Sequence, residues 1–167
     1  GQDAVFAVED PGYPKIRQVY GKCGARCCPV PLDGRGMDLS ALRSSGATAA
    51  HLSPSHHYPT GLVTPIGRRQ ELLAWARDTG AVIIEDDYDS ELRYFGRPVP
   101  AMQGIDGGRC VVYLGSFSST LFPSIKISYM ILPDKMADIF QKIKSNYTQT
   151  CSKAEQLTLS LFMENGM

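Results

Sequence analysis

Short apolar runs alternate along this chain with segments whose apolar residues recur at helical spacing, and clusters of turn formers separate the two. Residues 5–8 form the first apolar run, which ends in an Asp10-Pro11-Gly12 turn and reads as a buried strand. Ile16, Val19 and Tyr20 place a helix over 13–23, with Gly24 as its C-cap. A second strand is expected at 27–30, then a loop at 33–36 and a short helix at 39–43. Residues 49–52 make a brief strand that runs into 53–61, a stretch too rich in turn formers to be anything but loop. Leu72, Leu73, Trp75 and Ala76 define a helix over 65–79, ended by Gly80. The apolar run 81–84 opens into Glu85-Asp86-Asp87-Tyr88-Asp89. Strands at 110–114 and 128–132 and helices at about 135–145 and 154–164 complete the pattern.

Strands that alternate with helices imply right-handed crossovers and a mostly parallel sheet sandwiched by helices, an α/β fold. In such sheets ligands sit beyond the C-terminal strand ends. The polar clusters at 10–13, 53–61, 85–89 and 116–119 all fall there, so separate strands deliver their polar residues to one edge. That convergence is the physical argument for a binding site.

Composition narrows the classes. With 167 residues, 43% hydrophobic and 20% charged, the chain fits one α/β domain with a sizeable core. Lys plus Arg equals Asp plus Glu at 17 each, so no bulk basic charge is available for a nucleic-acid backbone. No apolar run approaches the roughly 20 residues that cross a bilayer, and no secretory leader opens the chain. The five cysteines, Cys23, Cys27, Cys28, Cys110 and Cys151, show no CxxC pairing. They argue against a disulfide framework or zinc site and for a reducing, cytoplasmic setting. His51 and His57 have no partner at metal-ligand spacing, and no metal is expected.

Four blocks carry a family resemblance: Val8-Glu9-Asp10-Pro11-Gly12-Tyr13, Ser53-Pro54-Ser55-His56-His57-Tyr58-Pro59-Thr60-Gly61, Ile84-Glu85-Asp86-Asp87-Tyr88-Asp89-Ser90-Glu91 and Gly115-Ser116-Phe117-Ser118-Ser119-Thr120-Leu121-Phe122-Pro123. In order and spacing they resemble fold-type I pyridoxal-phosphate (PLP) enzymes of the class I/II aminotransferase superfamily. Within that group they are most similar to the aminotransferase-like domain of MocR/GabR-type regulators of the GntR family. The resemblance covers nearly the whole chain and implies part of the PLP-binding large domain. It makes Asp86 the carboxylate that keeps the cofactor's ring nitrogen protonated, so that the ring can act as an electron sink. Tyr88 becomes the hydrogen-bond donor to the phenolic oxygen, and Tyr13 the aromatic against the ring. His56 falls in the loop where aminotransferases place an asparagine beside that oxygen. Ser116, and by extension Ser118, match the hydroxyls that hold the phosphate. Lys126 stands where the family grips phosphate with arginine, and supplies charge without the two-pronged fork.

One departure bears on mechanism. Ser119 occupies the position of the family's Schiff-base lysine, and a hydroxyl can neither form an imine nor shuttle the substrate's α-proton well. The resemblance therefore implies a PLP- and effector-sensing domain, catalytically impaired, whose effector is an amino acid or amine. It also implies a homodimer, with DNA contacted only through a winged-helix segment. That segment and the small C-terminal domain are absent from this chain, on this reading. Two alternatives stay open: a fragment or lysine variant of a PLP-dependent aminotransferase, and a scaffold that has lost its cofactor.

Overall fold

β-branched and apolar runs become seven strands: β1 (Val5–Asp10), β2 (Arg26–Asp33), β3 (Gly36–Met37), β4 (Ala49–Leu52), β5 (Val82–Asp87), β6 (Val111–Ser116) and β7 (Ser128–Ile131). The helices are α1 (Pro14–Lys22), α2 (Leu39–Ser44), α3 (Ile66–Thr79), α4 (Met102–Asp106), α5 (Asp134–Ile143) and α6 (Lys153–Glu164). The computed structural model describes residues 4–89, 99–118 and 126–165, so Ser119 lies outside the described residues.

The strands form one sheet in the order β3-β2-β1-β4-β5-β6-β7. Pairs β1–β2, β1–β4, β4–β5 and β5–β6 are parallel, while β2–β3 and β6–β7 are antiparallel. The expected mostly parallel sheet is therefore present, with an antiparallel pair at each edge. Two elements escaped the pattern reading. The expected loop at 33–36 is the turn of a hairpin that pairs Leu32 with Met37. Gly36 takes φ +119 there, and a Cβ on it would press within 2.8 Å of Thr64 Oγ1. The five-residue α4 is too short to display a helical period.

Helix ends follow local chemistry. Asp38 caps α2 by accepting from the Ala41 N–H at 2.7 Å, and Gly80 ends α3 in the left-handed region at φ +69. From β1 the chain steps to β2 on one side, then returns through α2 and α3 to β4 and β5 on the other. Right-handed crossovers thus set α1 on one face and α2 and α3 on the opposite face. Burial along β5 agrees: Ile83, Glu85 and Asp87 are buried towards α3 and α4, while Val82, Ile84 and Asp86 are half-buried on the other face. The main core lies on the α3 side, where Ala7, Ala50, Leu52 and Ile83 meet Leu72, Leu73, Trp75 and Met102. Each such large side chain contributes roughly 1.5–3 kcal/mol by leaving water.

Two buried charges sit inside that layer. Arg69, wholly buried, donates from Nε to the Thr64 carbonyl at 2.9 Å, from one terminal nitrogen to Pro100 O at 3.0 Å and from the other to Pro54 O at 2.8 Å. Glu85, also wholly buried, accepts the backbone N–H groups of Met102 and Gln103 at 2.8 and 2.9 Å, which serves the N-terminus of α4. The two side chains approach to 3.6 Å. Burial pushes the Glu85 carboxyl up, against the pull of those N–H donors and of Arg69. Next to it in the same turn of α3, Arg68 reaches Asp33 at 2.7 Å, Glu71 at 2.8 Å and the Met37 carbonyl, and so fastens the edge hairpin. Arg69→Met should lower stability by about 3–5 kcal/mol, because it strands the Glu85 charge and takes the guanidinium from the Thr64, Pro54 and Pro100 carbonyls, of which Pro54 keeps the Thr64 N–H. Urea unfolding followed by fluorescence of Trp75, the chain's one tryptophan, measures it.

Candidate functional site

The sheet reverses its winding between β1 and β4, and the crevice of an α/β sheet opens at such a point. A cavity of about 250 Å³ lies there, at the C-terminal ends of β1, β4 and β5. Val8 and Glu9 line it from β1, His51 and Ser53 from β4 and beyond, and Asp86 and Tyr88 from β5. Tyr13, Ile16 and Arg17 close it from the start of α1, and Tyr58 from the 53–61 loop. A second hollow of about 450 Å³, towards β6 and β7, shares Asp86 and Tyr88 with the first. Ser116, Ser128 and Tyr129 stand on its far side.

Strand alternation decides which acid meets the cavity. Asp86 projects on the α1 face, while Asp87 turns to the other and accepts the Tyr113 hydroxyl at 2.6 Å. Asp86 is held from behind: His51 Nε2 lies 3.4 Å from its Oδ2, and the Tyr20 hydroxyl lies 2.7 Å from His51 Nδ1. Tyr20 is stacked on Phe6 with centroids 4.3 Å apart, so α1, β1, β4 and β5 together orient one carboxylate. Burial, with Asp86 nearby, pushes the Tyr20 hydroxyl well above the usual phenol range. That keeps it a hydroxyl and a hydrogen-bonding partner of the imidazole.

Aromatic side chains frame the opening. Tyr13 and Tyr58 meet edge to face at 5.8 Å, and both are about half exposed. Their turns each contain a cis peptide, Asp10–Pro11 and Tyr58–Pro59. Gly12 has no room for a side chain, since a Cβ would collide with the Glu9 carbonyl oxygen. Arg17 spans this turn, donating to Asp10 at 2.7 Å and to the Glu9 carbonyl at 3.3 Å.

The other residues singled out from sequence take varied places. The Tyr88 hydroxyl, pushed up to about 12 chiefly by burial and also by Asp89, Asp86 and Glu9, donates to the His56 carbonyl at 2.7 Å. His56 does not line either hollow: its ring is about half exposed and its Nδ1 lies 2.6 Å from Asp89 Oδ2. Ser116 closes β6 and its Oγ accepts the Ser118 N–H at 3.2 Å. Phe117 N–H donates to the Ile127 carbonyl, so the β6–β7 register, continued one step, sets Lys126 opposite Ser118. Asp86, Tyr88, Tyr13 and Ser116 thus share one crevice, with Ser118 and Lys126 at its β6–β7 margin. His51 and Tyr58 were given no role in the sequence reading. A histidine inside the buried Ala49-Ala50-His51-Leu52 strand, and a tyrosine opening the Tyr58-Pro59-Thr60-Gly61 turn, were the signals that could have marked them.

This fold is that of the large domain of fold-type I PLP-dependent aminotransferases. The chain superposes on the kynurenine aminotransferase of Pyrococcus horikoshii with a TM-score of 0.86 and 25% identity, covering 98% of this chain and 43% of that one. The α-aminoadipate aminotransferase LysN of Thermus thermophilus, solved with N-(5'-phosphopyridoxyl)-L-leucine, gives a TM-score of 0.81 and 28% identity over 97% of this chain and 44% of LysN. By sequence, the relatives are transcription regulators of the MocR and PdxR type. The uncharacterized HTH-type regulator YdeL of Bacillus subtilis is 42% identical over 158 residues, 95% of this chain and 34% of YdeL. The probable rhizopine catabolism regulator MocR of Rhizobium meliloti is 36% identical over 95% of this chain and 32% of its own length. The pyridoxine biosynthesis regulator PdxR of Corynebacterium glutamicum is 36% identical over 98% of this chain and 36% of its own. The chain is thus homologous to a segment of these regulators and spans about a third of their length. No family model matches it. No helix among the described residues is long and apolar enough to cross a membrane.

Gly12→Ala should displace the 10–13 turn and cost about 1–3 kcal/mol, the usual penalty of overpacking. Thermal unfolding measures the loss.

Proposed function

We propose that this chain is a cofactor- and effector-sensing segment of a MocR-type regulator, built on the aminotransferase large domain and impaired as a catalyst. The observation that carries the reading is Asp86: one carboxylate, oriented by His51 and Tyr20, at the crevice of a sheet homologous to these regulators. PLP, when bound, supplies an electron sink next to an amino group. The donor set suits it. Asp86 would pair with a protonated ring nitrogen, Tyr13 would lie against the ring, and Tyr88 would reach its phenolic oxygen. Ser116, Ser118 and Lys126 would take the phosphate, with hydroxyls, N–H groups and one ammonium in place of a guanidinium fork. His56, tied to Asp89, would brace the loop beside Tyr88 and is not assigned to the cofactor directly.

Ser119 cannot attach the cofactor covalently or act as the base at the α-carbon, so PLP or its adduct with an amino acid or amine would be held by these contacts alone. Equal numbers of acidic and basic residues support assigning DNA contact to sequence outside this segment. The aminotransferase likeness favours a second reading, an enzyme whose attachment lysine is replaced.

Titration with PLP tests both. The native chain should bind PLP without the visible band of covalently attached cofactor, and Ser119→Lys should gain that band. Asp86→Ala should weaken binding about 10- to 100-fold, the worth of a hydrogen bond to a charged group. Sustained turnover of amino acids by the Ser119→Lys protein would favour the enzyme, and binding without turnover the sensor. If neither protein binds PLP, the cofactor assignment falls and the scaffold reading takes its place.

A further inference from the structure

Behind the cavity wall lies a second pair of titratable groups that the cofactor reading leaves unused. Glu9, 8% exposed at the end of β1, accepts the Ser53 N–H at 3.0 Å, and the same oxygen lies 3.5 Å from His57 Nε2. His57 is 2% exposed, and its ring faces the Pro11 carbonyl as well as the Glu9 carboxyl. The rest of His57 is tied into its own loop. Its Nδ1 lies 2.8 Å from Thr60 Oγ1, its N–H donates to the Leu62 carbonyl at 3.0 Å, and its carbonyl accepts the Gly61 N–H at 2.7 Å. Tyr58, the next residue, forms the cavity wall. Glu9 therefore touches the cavity, the first residue of the loop and the loop's buried histidine together.

Two arrangements are open to such a pair: an ion pair, or an acid that keeps its proton beside a neutral imidazole. Each ion would be stripped of water, and a 3.5 Å separation returns little of that cost. The remaining charges near Glu9 do not favour ionising it. Asp86 faces it from β5 and adds negative charge, the Tyr88 hydroxyl just beyond keeps its proton, and Arg17 on α1 spends its guanidinium on Asp10 and on the Glu9 carbonyl. We propose that Glu9 and His57 form a buried, uncharged pair, with Glu9 the positioning residue that sets the 53–61 loop and hence the Tyr58 wall of the cavity. The pair holds one fewer negative charge than two free acids would place on the cavity lining, and leaves Asp86 as its one carboxylate. This architecture does not depend on which ligand the cavity takes.

The directions of titration agree with the geometry. Burial raises the Glu9 carboxyl from 4.5 to about 8, partly offset by the Ser53 N–H and reinforced by Asp86, and burial lowers His57 below its ordinary 6.5. Between pH 4.5 and about 8 the folded chain holds a proton on Glu9 that the unfolded chain has released, so this contribution to stability is lost as pH rises through that window. The lowered His57 acts in the opposite sense and costs stability as pH falls below 6.5. Glu9→Gln keeps an acceptor for Ser53 and removes only the Glu9 titration. Thermal unfolding of both proteins from pH 5 to pH 8 should show the melting temperature of E9Q rising relative to native by about 5–10 °C. A difference that stays constant with pH overturns the proposal. Nitrogen-15 spectra of the native histidine rings give an independent reading even if E9Q does not fold. At pH 6 the His57 ring should carry the signature of a neutral imidazole, and an imidazolium signature there would establish the ion pair and overturn the uncharged one.

Discussion

The contact between Arg69 and Glu85 sits where three parts of the molecule meet, and each part needs it for a different reason. Arg69 projects from α3 into the layer between helix and sheet, and its guanidinium satisfies the carbonyls of Pro54, Thr64 and Pro100. Those carbonyls belong to irregular chain that has no ladder of its own to bond with, and buried unpaired carbonyls are costly. Glu85 leaves β5 on the same side and caps α4. A buried ion pair contributes little net stability compared with a well-packed apolar pair. What it supplies here is direction, because a planar fork with fixed donors accepts one arrangement of the loop it binds.

That arrangement positions the site. With both ends of the 53–64 segment pinned from the α3 side at Pro54 and Thr64, its middle reaches the cavity, where Tyr58 meets Tyr13. Glu9 secures the same loop from the β1 side. The two faces of β5 divide the labour: Glu85 and Asp87 serve the packed layer, and Asp86, between them, serves the crevice. The alternation of a strand thus places a structural acid, a cavity-facing acid and a second structural acid in three consecutive residues.

Across the relatives and the solved structures, this sheet carries regulators and aminotransferases alike. The fold gathers polar groups at a switch point, and on the function proposed above the chemistry would turn on one side chain, Ser119. Asp86 at the crevice is oriented by His51 and, through it, by Tyr20, a chain of contacts that links α1, β4 and β5.

Much of this was legible in the sequence for a simple reason: it is local. The 49–52 strand, the α3 helix ended by Gly80 and the α6 helix follow from apolar spacing and from glycine's access to positive φ. The polar clusters at 10–13, 53–61, 85–89 and 116–119 were expected at one edge because parallel strands bring their C-terminal ends together, and the family resemblance picked Asp86, Tyr88, Tyr13 and Ser116 from them. Other features needed the tertiary structure. His51 shows no partner along the chain, since Tyr20 is 31 residues away and Asp86 is 35. The β2–β3 hairpin is too short to have a period, and Arg69, in a helix of mixed polarity, reads as a surface residue until the loop it binds is folded over it. Periodicity and turn chemistry determined the elements and the edge at which the site lies. Contacts between residues distant in sequence decided which polar groups are buried, which share protons and which remain to meet a ligand.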